Sequence, residues 1–250
     1  MNILKKNFIY FILNTVILFI FLPIHVLADT NEQGPFISGT IDADIYNMVT
    51  NYENGTYQER NESNTVTPSK LFGSTRSTFD LNGTTEYLYD IKKIDNDTYA
   101  ATQVALYTSL RQESQGTKNG VILFCRIVYD EKDFGQPYTF VKLQKVESGV
   151  VRNNNLYWCE FLRMRYRVCG AAYNSNGSKM GYKAKETEYE DTSLISSPVE
   201  GVAYSITGPN DYYYSMGAAY GAIAGFARGN ITYRLSSSEY LEVSSALTAV

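Results

Sequence analysis

Residues 156–168 read LYWCEFLRMRYRV. Because successive side chains of a β-strand point to opposite faces of a sheet, alternate residues of this stretch share a face. One set is mainly apolar and comprises Leu156, Trp158, Glu160, Leu162, Met164, Tyr166 and Val168. The other set begins apolar and ends basic, and comprises Tyr157, Cys159, Phe161, Arg163, Arg165 and Arg167. We therefore predict a β-strand whose first face packs on a core.

Similar short runs recur along the chain, rich in the Tyr, Thr and Val that favour strands. The predicted strands are 40–50, 74–81, 84–92, 99–110, 120–129, 138–146, 182–189, 202–207 and 231–235. Residues 53–70 are more polar and predict a long loop or two weak edge strands. Short strands separated by turns at intervals of about ten residues predict an all-β fold, a single antiparallel β-sandwich or barrel.

The first 28 residues have the parts of a cleavable signal peptide, namely a start with two lysines, an apolar run and small residues at the cleavage position. The apolar run is shorter than the about 20 residues that a membrane-spanning helix needs. We therefore expect a secreted, extracellular protein. The predicted organisation is a signal peptide at 1–28, a flexible segment at 29–39 and a single β-rich domain at 40–250.

The only histidine, His25, lies inside the predicted leader. A mature chain without imidazole lacks Ser-His-Asp and Cys-His catalysis and any histidine-based zinc or copper site. Acidic residues outnumber basic ones by 26 to 22, which gives no electrostatic reason to bind nucleic acid. The acidic stretches 95–97 and 186–191 lack a complete calcium-loop pattern. We predict no cofactor and no metal, and favour a non-enzymatic function.

Glu160 is the one candidate for catalysis in this sequence. A carboxylic acid held among the apolar side chains of the predicted core face can serve as a general acid. A second carboxylate opposite it would complete a glycosidase pair. A secreted carboxylate-dependent glycosidase is therefore one alternative function. The competing interpretation is that Glu160 pairs with an arginine or reaches water at the end of the sheet.

The three cysteines are Cys125, Cys159 and Cys169. Cys159 and Cys169 lie on one predicted extended segment, where ten residues span about 33 Å. Bridged Cα atoms lie only roughly 4–7 Å apart. Any disulfide should therefore join Cys125 to Cys159 or Cys169, and three buried thiols are the alternative.

The basic stripe Arg163, Arg165 and Arg167 is one candidate for ligand binding. Guanidinium groups hold carboxylate, sulfate or phosphate in a two-pronged fork. The alternative is a solvated face whose arginines pair with local acids such as Glu186. Exposed tyrosines offer flat contact surface to sugars or proteins, and the candidates are Tyr87, Tyr89, Tyr212, Tyr213 and Tyr214. We therefore predict a secreted binding or surface-interaction protein whose partner is a glycan or an extracellular protein.

Residues 212–229 read YYYSMGAAYGAIAGFARG and interrupt the strand pattern. Gly217, Gly221, Gly225 and Gly229 recur every four residues, which would line one face of a helix and allow close packing. One hypothesis is membrane contact by a pore-forming or toxin-like protein, although a spanning helix needs roughly 17–25 residues. The other is internal packing, as a short Gly/Ala-rich helical or irregular segment or a glycine-rich strand pair.

Overall fold

The computed structural model describes residues 36–68, 83–109, 120–154, 156–187, 194–217, 222–233 and 237–249. All of them belong to the compact unit Gln33–Val250. The predicted leader and the predicted strand 74–81 lie outside the described residues. The all-β prediction is confirmed, since 66% of the structure is strand and 7% is helical.

One helix and fourteen strands form the described chain. The helix α1 is Ala43–Glu53. The strands are β1 Phe36–Thr40, β2 Arg60–Asn61, β3 Val66–Pro68, β4 Gly83–Lys93, β5 Thr98–Ser109, β6 Val121–Lys132, β7 Phe140–Arg152, β8 Tyr157–Tyr173, β9 Lys179–Glu186, β10 Leu194–Ser196, β11 Val202–Thr207, β12 Tyr213–Ser215, β13 Ala222–Tyr233 and β14 Ser237–Ala249. The weak edge strands predicted within 53–70 are β2 and β3.

The strands belong to one open, sandwich-like sheet in the order β2-β4-β5-β6-β7-β12-β8-β13-β14-β3. Pairing between the long strands is antiparallel. Strands β9 and β10 pair with β8, and β11 joins β7 to β1. Because β5, β6 and β7 contact β13 and β14 across the interior, the sheet folds over into two facing layers.

The main core lies between these two layers. Its fully buried side chains include Leu123, Ile127, Tyr129, Leu143, Leu162, Met164 and Ile223. Each large apolar side chain of this kind contributes about 1.5–3 kcal/mol when it leaves water. Strand β6 is buried on both faces, because its other face lies under α1.

The predicted strand 40–50 is wrong, because residues 43–53 form α1. The β-branched residues of this stretch favour a strand, but Ile45, Met48 and Val49 follow the three-and-four spacing of a helix face. These three side chains are buried against β5, β6 and β11. Gly55, at φ +70°, ends the helix by donating its backbone N–H to the Tyr52 carbonyl at 3.0 Å.

A row of polar side chains crosses the face of the sheet beneath the start of α1. The strand register sets the row in the order Asp90, Thr102, Arg126, Glu147 and Ser205. The guanidinium of Arg126 bonds both Asp42 and Asp44 at the start of the helix. The helix is therefore held by apolar contacts along one side and by a buried ion-pair network at its first turn.

The segment 213–228, predicted as helical or irregular, contains β12 and most of β13. Strand β13 is hydrogen-bonded to β8 on one edge and to β14 on the other. A Cβ at Gly225 would lie 2.7 Å from Ile127 and Val146, and one at Gly229 would lie 2.4 Å from Leu123. These glycines therefore allow the two layers to approach closely, as the strand-pair alternative implies.

Candidate functional site

Four arginines lie on the outer side of β8 and β13, and we call this surface the arginine face. Its members are Arg163, Arg165, Arg167 and Arg228. The intervening residues Leu162, Met164 and Tyr166 point into the core, so strict alternation directs the arginines outward. The register of β8 and β13 sets Arg163 directly opposite Arg228.

A bulge at Glu160 produces this arrangement. Asn230 pairs with Phe161 but Ile231 pairs with Cys159, so β8 has one extra residue at this point. The extra residue reverses the alternation, and the buried side chains before it are Tyr157 and Cys159 rather than Trp158 and Glu160. The predicted core face is therefore correct from Leu162 onward and wrong before it.

Three members of the arginine face have acidic partners. Arg228 donates from Nε to Glu242 Oε1 at 2.6 Å. Arg165 donates to Glu186 Oε1 at 3.2 Å, and its guanidinium carbon lies 4.4 Å from the centre of the Phe226 ring. Arg167 Nε lies 3.8 Å from the other oxygen of Glu186.

Arg163 differs from the other three. Within the described part of the chain its side chain makes no hydrogen bond or ion pair, although it is partly buried and faces a second arginine. Like charges directly opposite each other on neighbouring strands destabilise a sheet. An anion placed between the two strands at this point would remove that repulsion.

A cavity of about 210 Å³ lies beside Arg163. Its lining residues are Phe161, Arg163, Leu194, Arg228 and Asn230. Two guanidiniums and one amide supply hydrogen-bond donors, and Phe161 and Leu194 supply apolar surface. The Asn230 Oδ1 atom is buried and has no hydrogen-bond partner among the described residues. The cavity therefore fits a small ligand that carries one negative group together with both polar and apolar surface.

The predicted ligand-binding tyrosines lie elsewhere, mostly in packed positions. Tyr87 donates its hydroxyl to the Glu242 carbonyl at 3.3 Å, and burial raises its pKa to about 12. Tyr212 packs against the main core. Tyr213 lies under Lys142, whose Nζ is 4.9 Å from the ring centre, and Tyr214 is buried. The tyrosine run thus supplies packing surface to the structure.

The backbone carbonyl of Tyr89 accepts a 2.6 Å hydrogen bond from the Tyr57 hydroxyl. The most exposed tyrosines among the described residues are Tyr46, Tyr138 and Tyr182, none of which the sequence singled out. Tyr182 lies on β9, whose eight residues are all exposed. The sequence pattern predicted a strand at this position but did not indicate that the strand is exposed.

Glu160, the candidate catalytic residue, accepts a 2.8 Å hydrogen bond from the Thr232 hydroxyl. The bulge moves its side chain away from the core face on which the sequence placed it. The described residues that line the cavity beside the arginine face include no carboxylate, so none of them is the second acid of a glycosidase pair.

All three cysteines lie in described ranges, and none forms a disulfide. Burial raises the pKa of Cys125 and of Cys159 to about 12. The Cys159 thiol donates to the Phe161 carbonyl at 3.2 Å. The structure therefore has three buried thiols in place of a bridge through Cys125.

A second cavity of about 390 Å³ is lined by Asp97, Glu131 and Asp133 together with Tyr99 and Tyr138, among other residues. Both oxygens of Glu131 accept hydrogen bonds from Ser63 and Thr65. In the described ranges no three thiol, imidazole or carboxylate groups converge closely enough to hold a metal ion. Glu188, Glu190 and Asp191 lie outside those ranges.

No protein family, curated protein or solved structure matches this chain. Across the described ranges, α1 included, no helix has the length and apolar character needed to cross a membrane.

Proposed function

We propose that this chain is a secreted, non-enzymatic binding protein that takes an anionic group of an extracellular ligand at the arginine face. The observation that carries this proposal is Arg163, a partly buried guanidinium with no acidic partner in the described structure. Its three neighbours on the face each have a carboxylate within ion-pairing distance. A bound anion would give the fourth arginine an equivalent partner.

The charge of the whole molecule supports a specific site. The chain has a net charge of −4, yet among the described residues four arginines and two acidic partners, Glu186 and Glu242, meet on one side of β8 and β13. An acidic protein does not attract anions in general. The positive charge of the arginine face is local, which favours selective attraction of a ligand to that face.

Binding of polyanions tests this proposal. The purified protein is titrated with polyglutamate and with dextran sulfate, while neutral dextran serves as the ligand control. The fluorescence of Trp158, the only tryptophan, reports binding because this residue also lies on β8. Binding of both polyanions that weakens with added salt, with no binding of neutral dextran, is the expected result.

The variant Arg163→Gln removes the guanidinium that has no acidic partner among the described residues. A hydrogen bond to a charged group contributes about 1.5–3 kcal/mol, so the affinity should fall roughly 10- to 100-fold. The control Arg152→Gln removes the same charge from a partly exposed pair with Glu53 and should change the affinity less than about twofold. Equal affinities for the wild type and Arg163→Gln would refute the proposal.

The two alternative functions have less support. Membrane insertion of 212–229 would require β13 to leave both β8 and β14, to which it is hydrogen-bonded over its whole length. A glycosidase centred on Glu160 would need a second carboxylate, and the neighbouring cavity has none among its described lining residues. Both hypotheses remain open to direct assays of dye release and hydrolysis.

A further inference from the structure

We infer that the cavity at Arg163 is a subsite for one acidic sugar residue, a pyranose ring that carries a carboxylate. This inference rests on the proposed function and specifies its ligand. It follows from the charge at the cavity, from the two kinds of surface that line it and from its size.

The charge of the arginine face calls for one carboxylate at one place. Arg165 and Arg167 share Glu186, and Arg228 is held by Glu242. Only Arg163 lacks such a partner in the described ranges. A planar carboxylate matches the two parallel N–H groups of a guanidinium. The ligand's anionic group is therefore expected at Arg163.

The walls of the cavity match a sugar ring better than a simple anion. A pyranose presents C–H groups on its faces and hydroxyl groups around its edge. Phe161 and Leu194 provide apolar surface for the ring, and the Asn230 side chain provides a polar group at its edge. Inorganic sulfate would satisfy Arg163 but would leave these three residues without a role.

The size of the cavity is on the scale of a single sugar residue. Its volume is about 210 Å³. Further sugars of a glycan would extend beyond the described lining residues.

Small ligands of matched shape test the inference. Methyl β-D-glucuronide and methyl α-N-acetylneuraminide carry the carboxylate on a ring, and methyl β-D-glucoside is the neutral counterpart of the first. Sodium sulfate and N-acetylglycine supply an anion without a sugar. At least one acidic sugar should bind ten times more tightly than the glucoside, the sulfate and N-acetylglycine, as measured by Trp158 fluorescence or calorimetry.

Two variants assign the contacts. Arg163→Gln should abolish the tenfold preference for the acidic sugar over the glucoside. Asn230→Ala should weaken the acidic sugar by about three- to tenfold, because it removes a polar group from the wall of the cavity. The control Arg152→Gln, at a partly exposed position paired with Glu53 and outside the arginine face, should retain wild-type affinity within about twofold. Unchanged urea midpoints would show that each variant folds.

The outcomes separate this inference from the proposed function. If sulfate or N-acetylglycine binds as tightly as the acidic sugars, or the glucoside does, the acidic-sugar inference is wrong. Binding of polyglutamate and dextran sulfate through Arg163 would still support the broader proposal in that case. Failure of the polyanions as well would remove both.

Discussion

Replacement of Arg126 by methionine should destabilise the protein more than any single change on its surface. The Arg126 side chain is 5% exposed and lies beneath the first turn of α1. Its Nε donates to Thr102 Oγ1 at 3.0 Å, and its terminal nitrogens bond Asp42 and Asp44 and lie 3.8 Å from Glu147. Methionine fills similar space but leaves the carboxylates of Asp42, Asp44 and Glu147 without the positive charge of Arg126.

The magnitude follows from how buried each orphaned group is. Removal of one partner of a buried ion pair costs roughly 3–5 kcal/mol. Asp42 is 63% exposed and can recover its hydration, whereas Asp44 and Glu147 are 21% and 11% exposed. Lys92 and Lys145 stay near those two acids and soften the loss. We therefore expect a decrease in the free energy of unfolding at the lower end, about 3 kcal/mol.

Urea unfolding at pH 7, followed by Trp158 fluorescence, measures this change. With a slope of about 2–3 kcal/mol per molar urea, the midpoint should fall by roughly 1–1.5 M. Arg126→Lys keeps the positive charge but loses the two-pronged hydrogen bonding of the guanidinium. Its urea midpoint should therefore lie between those of the wild type and Arg126→Met. The control Arg152→Met breaks the partly exposed pair with Glu53 and should cost less than about 1 kcal/mol. An equal, small loss in Arg126→Met and Arg152→Met would refute the reasoning.

Three further predictions concern pH, packing and thiol reactivity. Burial alone would raise the pKa of Asp44, but the nearby cations and their hydrogen bonds outweigh it and hold this pKa below 3.8. The stabilisation by Asp44 is therefore complete above the unfolded-state pKa and disappears as pH falls through the lower folded-state pKa. The difference in free energy of unfolding between wild type and Asp44→Asn should therefore shrink between pH 5 and pH 2. A constant difference would contradict this prediction. Gly225→Ala should lower the free energy of unfolding by a net ~1–2 kcal/mol, because the new Cβ meets two stiff branched side chains. Gly229→Ala should lower it less, because the nearest atom belongs to a flexible leucine. The reverse order of urea midpoints would show that the glycines have another role. Cys125 and Cys159 should react with a thiol reagent at pH 8 only after unfolding, since burial raises the pKa of both, and rapid labelling of the folded protein would contradict their placement.

Strand alternation alone predicted the outward direction of the arginine stripe. From Leu162 to Val168 the buried residues alternate as the sequence implies, so Arg163, Arg165 and Arg167 share the outer face. The pairing of these arginines was beyond sequence reasoning, because Arg228 and Glu242 come from β13 and β14 and meet β8 only through tertiary register. The lack of an acidic partner for Arg163 among the described residues is likewise a property of the assembled sheet.

The errors have local physical causes. Residues 43–53 contain the β-branched residues of a strand, yet they form α1. The helix buries its apolar side chains against the apolar outer face of β5 and β6, and this packing outweighs the local strand preference. The bulge at Glu160 reverses one alternation, and no turn residue marks it in the sequence. The glycine period of 212–229 suggested a helix, whereas Gly225 and Gly229 serve close packing between two layers of strands.

Side-chain NMR of the arginine Nε–Hε groups tests the central claim most directly. During titration with polyglutamate, the Arg163 signal, assigned from the Arg163→Gln spectrum, should move first and furthest, while the buried Arg126 signal stays fixed. Saturable binding that leaves the Arg163 signal unmoved would contradict the account, because the ligand would then occupy some other surface.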